Sequence, residues 1–281
     1  MTEPGIVVVA YGAVELLREA LAPLVGMPVV VVDNSSSRDV EAVASGVGAT
    51  YVDPGSNTGF ARGVNLGVRT LFQEHGERDV LLLNPDAVLT PADVSRLHEA
   101  LRADQRCAAV APLLTGPDGP QRVQWPWPRP VRMWREALGL LGAGRHDGDW
   151  LVGAALMLSA AAWTDVGPFD ERFFLYAEET DWQRRAHLRG WSLSICEDVV
   201  VRHAGAATST DPVRRELLFH AAAETYIRKW YGAGGWRSYR TAALVGAVLR
   251  SPRPGPKGRL ARQRAVLYAA GPERRLAKAA E

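Results

Sequence analysis

At 281 residues, 47% of them hydrophobic and 23% charged, the chain suits one large globular domain with appended elements, or two small domains. A formal charge of +2 argues against nucleic-acid binding through the whole surface, and the two cysteines, Cys107 and Cys196, have neither metal-motif spacing nor a disulfide framework, which fits a reducing compartment. Met1-Thr2-Glu3-Pro4 is not a basic region leading into a long apolar stretch, so no secretory leader is expected, and Ala242 to Leu249 falls far short of the ~20 residues that span a bilayer. A cytoplasmic protein is the expectation.

Ile6 to Val9 is a short β-branched run of the kind buried on both faces of a sheet, and Val14, Leu17, Leu21 and Leu24 then recur at helical spacing. Val29 to Val32 reads as a second strand, closed by the turn and cap residues Asp33-Asn34-Ser35. A short helix around Val40 to Ala44, a strand at Thr50 to Val52, a helix from Thr58 to Phe72 and a strand at Val80 to Leu83 continue the alternation. Thr90-Pro91-Ala92-Asp93 then opens a helix, with a capping hydroxyl, a proline at the first position and an acid at the positive end. Strands alternating with helices predict a mostly parallel sheet covered on both faces, with ligands beyond the carboxyl ends of its strands, where Asp33 and Asp86 fall.

Pro112 to Pro130, with Trp125 and Trp127, reads as a loop or hairpin. A strand from Leu151 to Leu158, a helix from about Glu178 to Leu188 and short strands at Ser192 to Cys196 and Val199 to Arg202 follow. Asp211-Pro212 starts a long helix to about Trp230. From Arg237 to Lys278 the only acid is Glu273, a basic stretch that suits either solvent or an anionic membrane surface.

Four groups can carry chemistry. Asp86, beside Asn84, is a carboxylate just past a buried strand and can hold a hard divalent cation that takes its remaining ligands from water and substrate phosphate. Glu178-Glu179-Thr180-Asp181 puts three acids at a helix start, where they serve the macrodipole, and one of them can act as a general base. On a helix Glu178 and Asp181 share a face, while Glu179 points roughly 100° away, on the side of Gln183. His203 ends a strand and offers imidazole as a further metal ligand. In Gly55 to Asn65 the glycines permit close backbone approach, Asn57 and Asn65 offer amides and Arg62 offers a guanidinium for phosphate. Taken singly, each is as readily a cap, a turn or a structural histidine.

In series the motifs say more. Tyr11, Asp33-Asn34-Ser35, Asn57-Thr58-Gly59-Phe60, Asn84-Pro85-Asp86, Gly153-Ala154, Glu178 to Asp181 and His203 resemble, in order and spacing, the family-2 glycosyltransferases of the GT-A fold over roughly residues 5 to 230. Trp150-Leu151-Val152-Gly153-Ala154 and the aromatic run Phe169 to Tyr176 make rhamnosyltransferase-like members the nearest likeness.

The resemblance implies an α/β fold: a Rossmann-like, mostly parallel sheet with helices on both faces and a C-terminal helical extension. Residues 1–111 would be the nucleotide-sugar-binding half, 112–210 the acceptor-binding and catalytic half of the same domain, and 211–281 the basic extension. It implies a metal-dependent inverting glycosyltransferase, with rhamnose from dTDP-rhamnose the first donor expected and a UDP-sugar the second. The acceptor would be a hydroxyl of a glycan, lipid-linked or small-molecule compound. Donor contacts would come from Tyr11, Asp33, Asn57, Gly59, Phe60, Arg62, Asn65, Asn84 and Asp86, and Mg2+ or Mn2+ would sit on Asp86 and His203. The base would be Glu179, with Glu178 able to share the task, and Trp150, Gly153, Ala154 and Asp181 would line the acceptor side. Trp125, Trp127 and Trp150 serve equally as stacking surfaces or as packing. The basic tail suits peripheral contact at the inner face of the cell membrane, or a homodimer through Trp230, Tyr231 and Trp236. Two alternatives stand beside this reading: a sugar nucleotidyltransferase, which should carry a basic glycine-rich loop where Val9-Ala10-Tyr11-Gly12 has none, and a non-catalytic nucleotide-sugar-binding or scaffold protein.

Overall fold

The β-branched runs at the start of the chain become buried parallel strands. A computed structural model describes residues 2–141, 148–205 and 211–279. In it β1 (Gly5–Ala10), β2 (Val29–Asp33), β3 (Thr50–Val52) and β4 (Val80–Leu83) lie in the order β3-β2-β1-β4, all parallel. Helices α1 (Val14–Leu21) and α2 (Arg38–Gly46) cover one face through Leu17, Leu21, Val40 and Val43, and α3 (Phe60–His75) covers the other through Val64, Val68 and Leu71. Every residue of β1 and β2 is buried, which is why these strands are continuously apolar instead of alternating. The helix expected from Thr58 begins at Phe60, because Gly59 sits at φ 82, outside helical space.

Further elements follow as far as His203, some extending the sheet and two pairing as a separate two-stranded ribbon. These are β5 (Ala87–Val88), α4 (Pro91–Arg102), β6 (Cys107–Gly116), β7 (Gly119–Gln121), β8 (Gln124–Trp125), α5 (Pro130–Ala137), β9 (Trp150–Leu151), β10 (Ala155–Leu158), α6 (Ala160–Val166), α7 (Glu178–Leu188) and β11 (Ser192–His203). Strand order runs on from β4 as β10-β6-β11-β5, with β10 antiparallel to both neighbours, β11 parallel to β6, and β7 paired to β6. Thr90 caps α4 as expected, and Asp93, expected only to face the positive helix end, also accepts from the Thr90 amide and so closes a reciprocal cap.

Three expectations need correcting. The loop or hairpin expected over Pro112 to Pro130 forms as a hairpin between β6 and β7, but its first strand starts at Cys107 and is an inner strand of the sheet, with Ala108, Ala109 and Ala111 at most 2% exposed. Alanine has little strand preference of its own, so pairing on both sides decides this one. The strand expected over Leu151 to Leu158 is broken by a turn at 152–154. The two short strands after Ser192 are one strand, irregular in register between Cys196 and Val200. Cys107 and Cys196 are buried free thiols.

The chain divides into two units. Met1–Trp125, Gly148–Phe174 and Glu178–Thr210 make the sheet unit; Pro126–Asp147, Leu175–Ala177 and Asp211–Glu281 make the second. The second is helical, formed by α5, α8 (Pro212–Arg250), α9 (Gly255–Ala270) and α10 (Pro272–Ala279). The helix expected to end near Trp230 resumes after a kink at Gly232 (φ 65, ψ −171) and reaches Arg250. Trp236, only 2% exposed, stacks on Tyr239 and meets Tyr268, so it packs these helices together and is closed to a partner subunit. Some of the basic residues are likewise structural: Arg240 donates to the carbonyls of Tyr268 and Ala269, which cap the end of α9. No helix among the described residues is long and apolar enough to cross a membrane.

Candidate active site

The catalytic, donor, metal and acceptor residues expected from the sequence all fall in the sheet unit, whereas Trp127, Trp230, Tyr231 and Trp236 fall in the helical one. On its amino-terminal side, polar groups mostly build loops. Asp33, fully buried at the end of β2, accepts hydrogen bonds from the backbone of Ser35 (2.8 Å) and Ser37 (2.7 Å) and from the hydroxyls of Ser35 and Tyr51. The Tyr51 phenol is pushed up to about 12 by burial and by that carboxylate. Asn34 donates to the Gly59 carbonyl (3.1 Å) and accepts from the amide and hydroxyl of Thr58, tying the 57–59 turn to β2. Asn57 accepts from the Gly59 amide (3.0 Å).

Gly59 is required twice over. Its φ is 82, and a Cβ there would lie 2.4 Å from the Phe174 carbonyl oxygen, which accepts from the Phe60 amide. Asn65 spends its amide on the Phe169 backbone in both directions, and Arg62 pairs with Glu171 at 2.9 Å. Arg62, Asn65, Asn57 and Gly59 therefore shape the floor and brace the 169–174 loop. Tyr11, 56% exposed just past β1, is free to meet a ligand face.

A second group gathers beyond β4. Ala87 and His203 are register partners where β5 pairs β11, which brings His203 Nε2 to 3.4 Å from Asp86 Oδ1. The Asp86 carbonyl also accepts from the Ala204 amide. One carboxylate oxygen and one imidazole nitrogen at that separation form a partial shell for a hard divalent cation, which fills its other positions with water and phosphate oxygen. No cluster of three or more such ligands occurs among the described residues. Asp86 and His203 thus fit such an ion as an open pair.

A third group lies at the start of α7. Trp182 in the next turn packs with Trp163 and Phe169 and donates to the Gly167 carbonyl, anchoring the helix. Asp181, fully buried, holds Arg185 (3.0 Å), whose other nitrogens reach the carbonyls of Val166 and Pro168. That burial is at odds with an acceptor-facing role for Asp181. Glu179 and Gln183 share the opposite face, as helical spacing requires. Gln183 clamps Leu151 through both amide atoms (2.7 and 2.8 Å), and a Cβ on Gly153 would meet Glu179 Cγ at 3.3 Å. Trp150 pairs across the β8–β9 ribbon with Trp125.

Oε2 of Glu178 and Oε2 of Glu179 are both closed to solvent with no hydrogen-bond partner. Burial pushes the Glu179 carboxyl up to about 6 against the opposing backbone amides of Thr180 and Gly153. Burial and then the Glu179 charge push Glu178 well above the carboxylate range. Tyr176 (φ 73) and Ala177 (φ 68), just ahead of the pair, are non-glycine residues in left-handed space, a strain of about 1–3 kcal/mol each.

The second and third groups meet through the backbone. The Asn84 amide donates to the Ala154 carbonyl (2.9 Å) where β4 runs beside β10, joining the Asp86 turn to the Gly153-Ala154 turn that seats Glu179. Asn34, Thr58, Gln183 and Gln121, a hydrogen-bond partner of His203, were not singled out as site residues. Their roles depend on partners distant in the chain, for which the only local signal is an amide or hydroxyl near a motif.

Residues 5–149, just over half of the chain, match the family model described as glycosyl transferase family 2. The chain belongs to glycosyl transferase family 2. Among its relatives are a low-salt glycan biosynthesis hexosyltransferase of Haloferax volcanii, 28% identical over 71% of this chain and 66% of that protein, and an N-acetylglucosaminyl-diphospho-decaprenol L-rhamnosyltransferase of Mycobacterium tuberculosis, 28% identical over 70% of this chain and 72% of that one. The alignment thus spans just under two thirds of the first. This family-2 chain also shares its fold with a mannosyltransferase from Pyrobaculum calidifontis in complex with GDP-Man and Mn2+ (TM-score 0.55, 15% identity, 98% of this chain and 83% of that one). A glucosyl-3-phosphoglycerate synthase from Mycobacterium tuberculosis in complex with Mn2+, uridine-diphosphate and phosphoglyceric acid is similar as well (TM-score 0.51, 18% identity, 80% and 76%). The GT-A architecture with a C-terminal helical extension is as expected.

Proposed function

We propose that this family-2 chain moves a sugar from a nucleotide diphosphate donor to an acceptor hydroxyl in one displacement that inverts the anomeric carbon. The observation that carries this reading is the seat of Glu179: a half-buried side chain whose Oε2 is closed to solvent without a partner, set on Gly153 and joined through Ala154 and Asn84 to the Asp86 turn. With a pKa of about 6, Glu179 is ionised at neutral pH and takes the acceptor hydroxyl's proton. The acceptor oxygen bonds to the anomeric carbon as the bond from that carbon to the diphosphate breaks, and the nucleotide diphosphate leaves with the electron pair. Burial and the Glu179 charge both favour the protonated form of Glu178, which disfavours a second negative charge beside the base.

Asp86 and His203 would hold a divalent cation, Mg2+ or Mn2+, whose charge would offset that gathering on the leaving group. Tyr11 offers a ring face to the nucleobase, and Asp33 supports that pocket chiefly by ordering the 33–37 loop. The rhamnosyltransferase relative favours dTDP-rhamnose as donor over a UDP-sugar, and its decaprenol-linked substrate favours a lipid-linked acceptor. In the helical unit Leu138, Leu140, Val248 and Leu249 are 53–66% exposed, with Arg253 and Lys257 exposed nearby in sequence, a composition suited to an anionic lipid surface.

The test is product analysis with dTDP-rhamnose and UDP-sugars, Mn2+ or Mg2+, and a polyprenyl diphosphate-linked sugar acceptor, reading anomeric configuration by NMR. A product that retains the donor's configuration would overturn single displacement; turnover undiminished by chelator would overturn the metal assignment.

A further inference from the structure

We propose that Gln121 fixes the tautomer and aim of His203, and thereby sets the affinity of the Asp86–His203 pair for a divalent cation; the inference rests on the metal reading above. Gln121 ends β7, opposite Leu114 in the β6–β7 hairpin, and its side chain reaches the end of β11. Its Nε2 donates to the carbonyl oxygen of His203 at 3.0 Å, and its Oε1 lies 2.9 Å from His203 Nδ1.

A carboxamide carries its hydrogens on nitrogen alone and accepts on oxygen alone. With the Gln121 nitrogen committed to a carbonyl, its oxygen must face Nδ1, so Nδ1 carries a hydrogen and donates it. In the neutral ring Nε2 then presents a lone pair, and it presents it to Asp86 Oδ1 at 3.4 Å. Two acceptors facing one another have no attraction unless a positive charge lies between them. Neighbouring donors on an octahedral shell of about 2.1 Å radius stand about 3 Å apart, so the observed separation is near the bite of one ion. This is the arrangement in which a histidine ligand is oriented through its other nitrogen.

The hairpin is built to admit the amide. A Cβ at Gly116 would lie 2.3 Å from Gln121 Nε2 and 3.3 Å from the His203 carbonyl oxygen. Gly116 therefore keeps open the space in which Gln121 meets both atoms of His203. Gln121 touches neither donor nor acceptor in this role; it positions a ligand.

The experiment is an electron paramagnetic resonance titration of Mn2+ with the full chain in the presence of dTDP, and of UDP in a parallel series, against protein-free controls. Asp86→Ala should abolish the protein-bound signal. Gln121→Leu should raise the Mn2+ dissociation constant roughly 10- to 100-fold. Gln121→Glu, which still accepts from Nδ1–H, should recover most of the loss, and Gly116→Ala should weaken binding in the same sense as Gln121→Leu. Should Gln121→Leu fail to fold, Gln121→Asn, too short to span both contacts, takes its place. Wild-type affinity in the Leu variant, with Asp86→Ala still inactive in binding, overturns this inference and leaves the metal site standing. Equal weakening by Leu and Glu overturns it too, by showing a role in the fold alone. Absence of bound Mn2+ in the wild type overturns both.

Discussion

Asp33 and Glu178 are both carboxyl side chains withdrawn from water, 0% and 3% exposed, yet their surroundings are opposite. Asp33 accepts from two backbone amides and two hydroxyls, whereas Glu178 and its neighbour Glu179 each keep an oxygen with no partner. A buried polar atom left unsatisfied costs about 1–3 kcal/mol. Strain in the two residues ahead of the pair adds to that cost. On the proposed function, the contrast separates residues that build the site, whose hydrogen bonds are filled, from those with an oxygen left over for a substrate atom.

The largest break in this comparison should come from Glu179→Gln. It removes the base while keeping shape, so turnover should fall about 10²- to 10⁴-fold with nucleotide binding retained, as single-turnover assays and calorimetry would show. Wild-type turnover would move Glu179 into the class of builders. Asp86→Ala should come next, with loss of the stabilisation that Mn2+ and nucleotide diphosphate together confer in a thermal melt.

On the saturated side the expected effect is on stability. Asn34→Ala strands the Thr58 amide, leaves the Gly59 carbonyl with only the Gly63 amide, and should cost about 2 kcal/mol, roughly 6 °C in melting temperature. The acid pair should show the reverse. Both folded pKa values lie above the unfolded value of 4.5, so the pair's contribution to stability is fully present below that pH. It is lost as pH rises through about 6 for Glu179, and Glu178, whose carboxyl is also pushed up by burial, loses its contribution in the same direction. Glu178→Gln, which cannot ionise, should therefore melt a few degrees above the wild type at pH 8 and no higher at pH 4. A wild-type melting curve flat across that range would show the pair to be solvated. The smallest effect is expected from Ala177→Gly, which relieves a left-handed alanine (φ 68) and should add about 1 kcal/mol of stability.

Much of the sheet was legible before any coordinates. Strands β1, β2 and β4 announce themselves because burial on both faces demands unbroken apolar runs, and α4 because its cap is made by Thr90 and Asp93 within one turn. Family membership followed from motifs in order along the chain, and the residues singled out for chemistry, Asp86, Glu179 and His203, lie at the edges of elements. What stayed hidden depends on partners far away in sequence. Cys107–Gly116 is a strand only because β10 and β11 pair with it, and the bonds of Arg62 to Glu171 and of Asn65 to the Phe169 backbone join residues about a hundred positions apart. Asp181 and Glu179 are two residues apart and alike in chemistry. Only helix rotation and packing give one to Arg185 and leave the other facing Gly153 with an empty oxygen. Local composition determines where the chain turns and what is buried; which buried polar group goes unsatisfied is decided by the three-dimensional supply of partners.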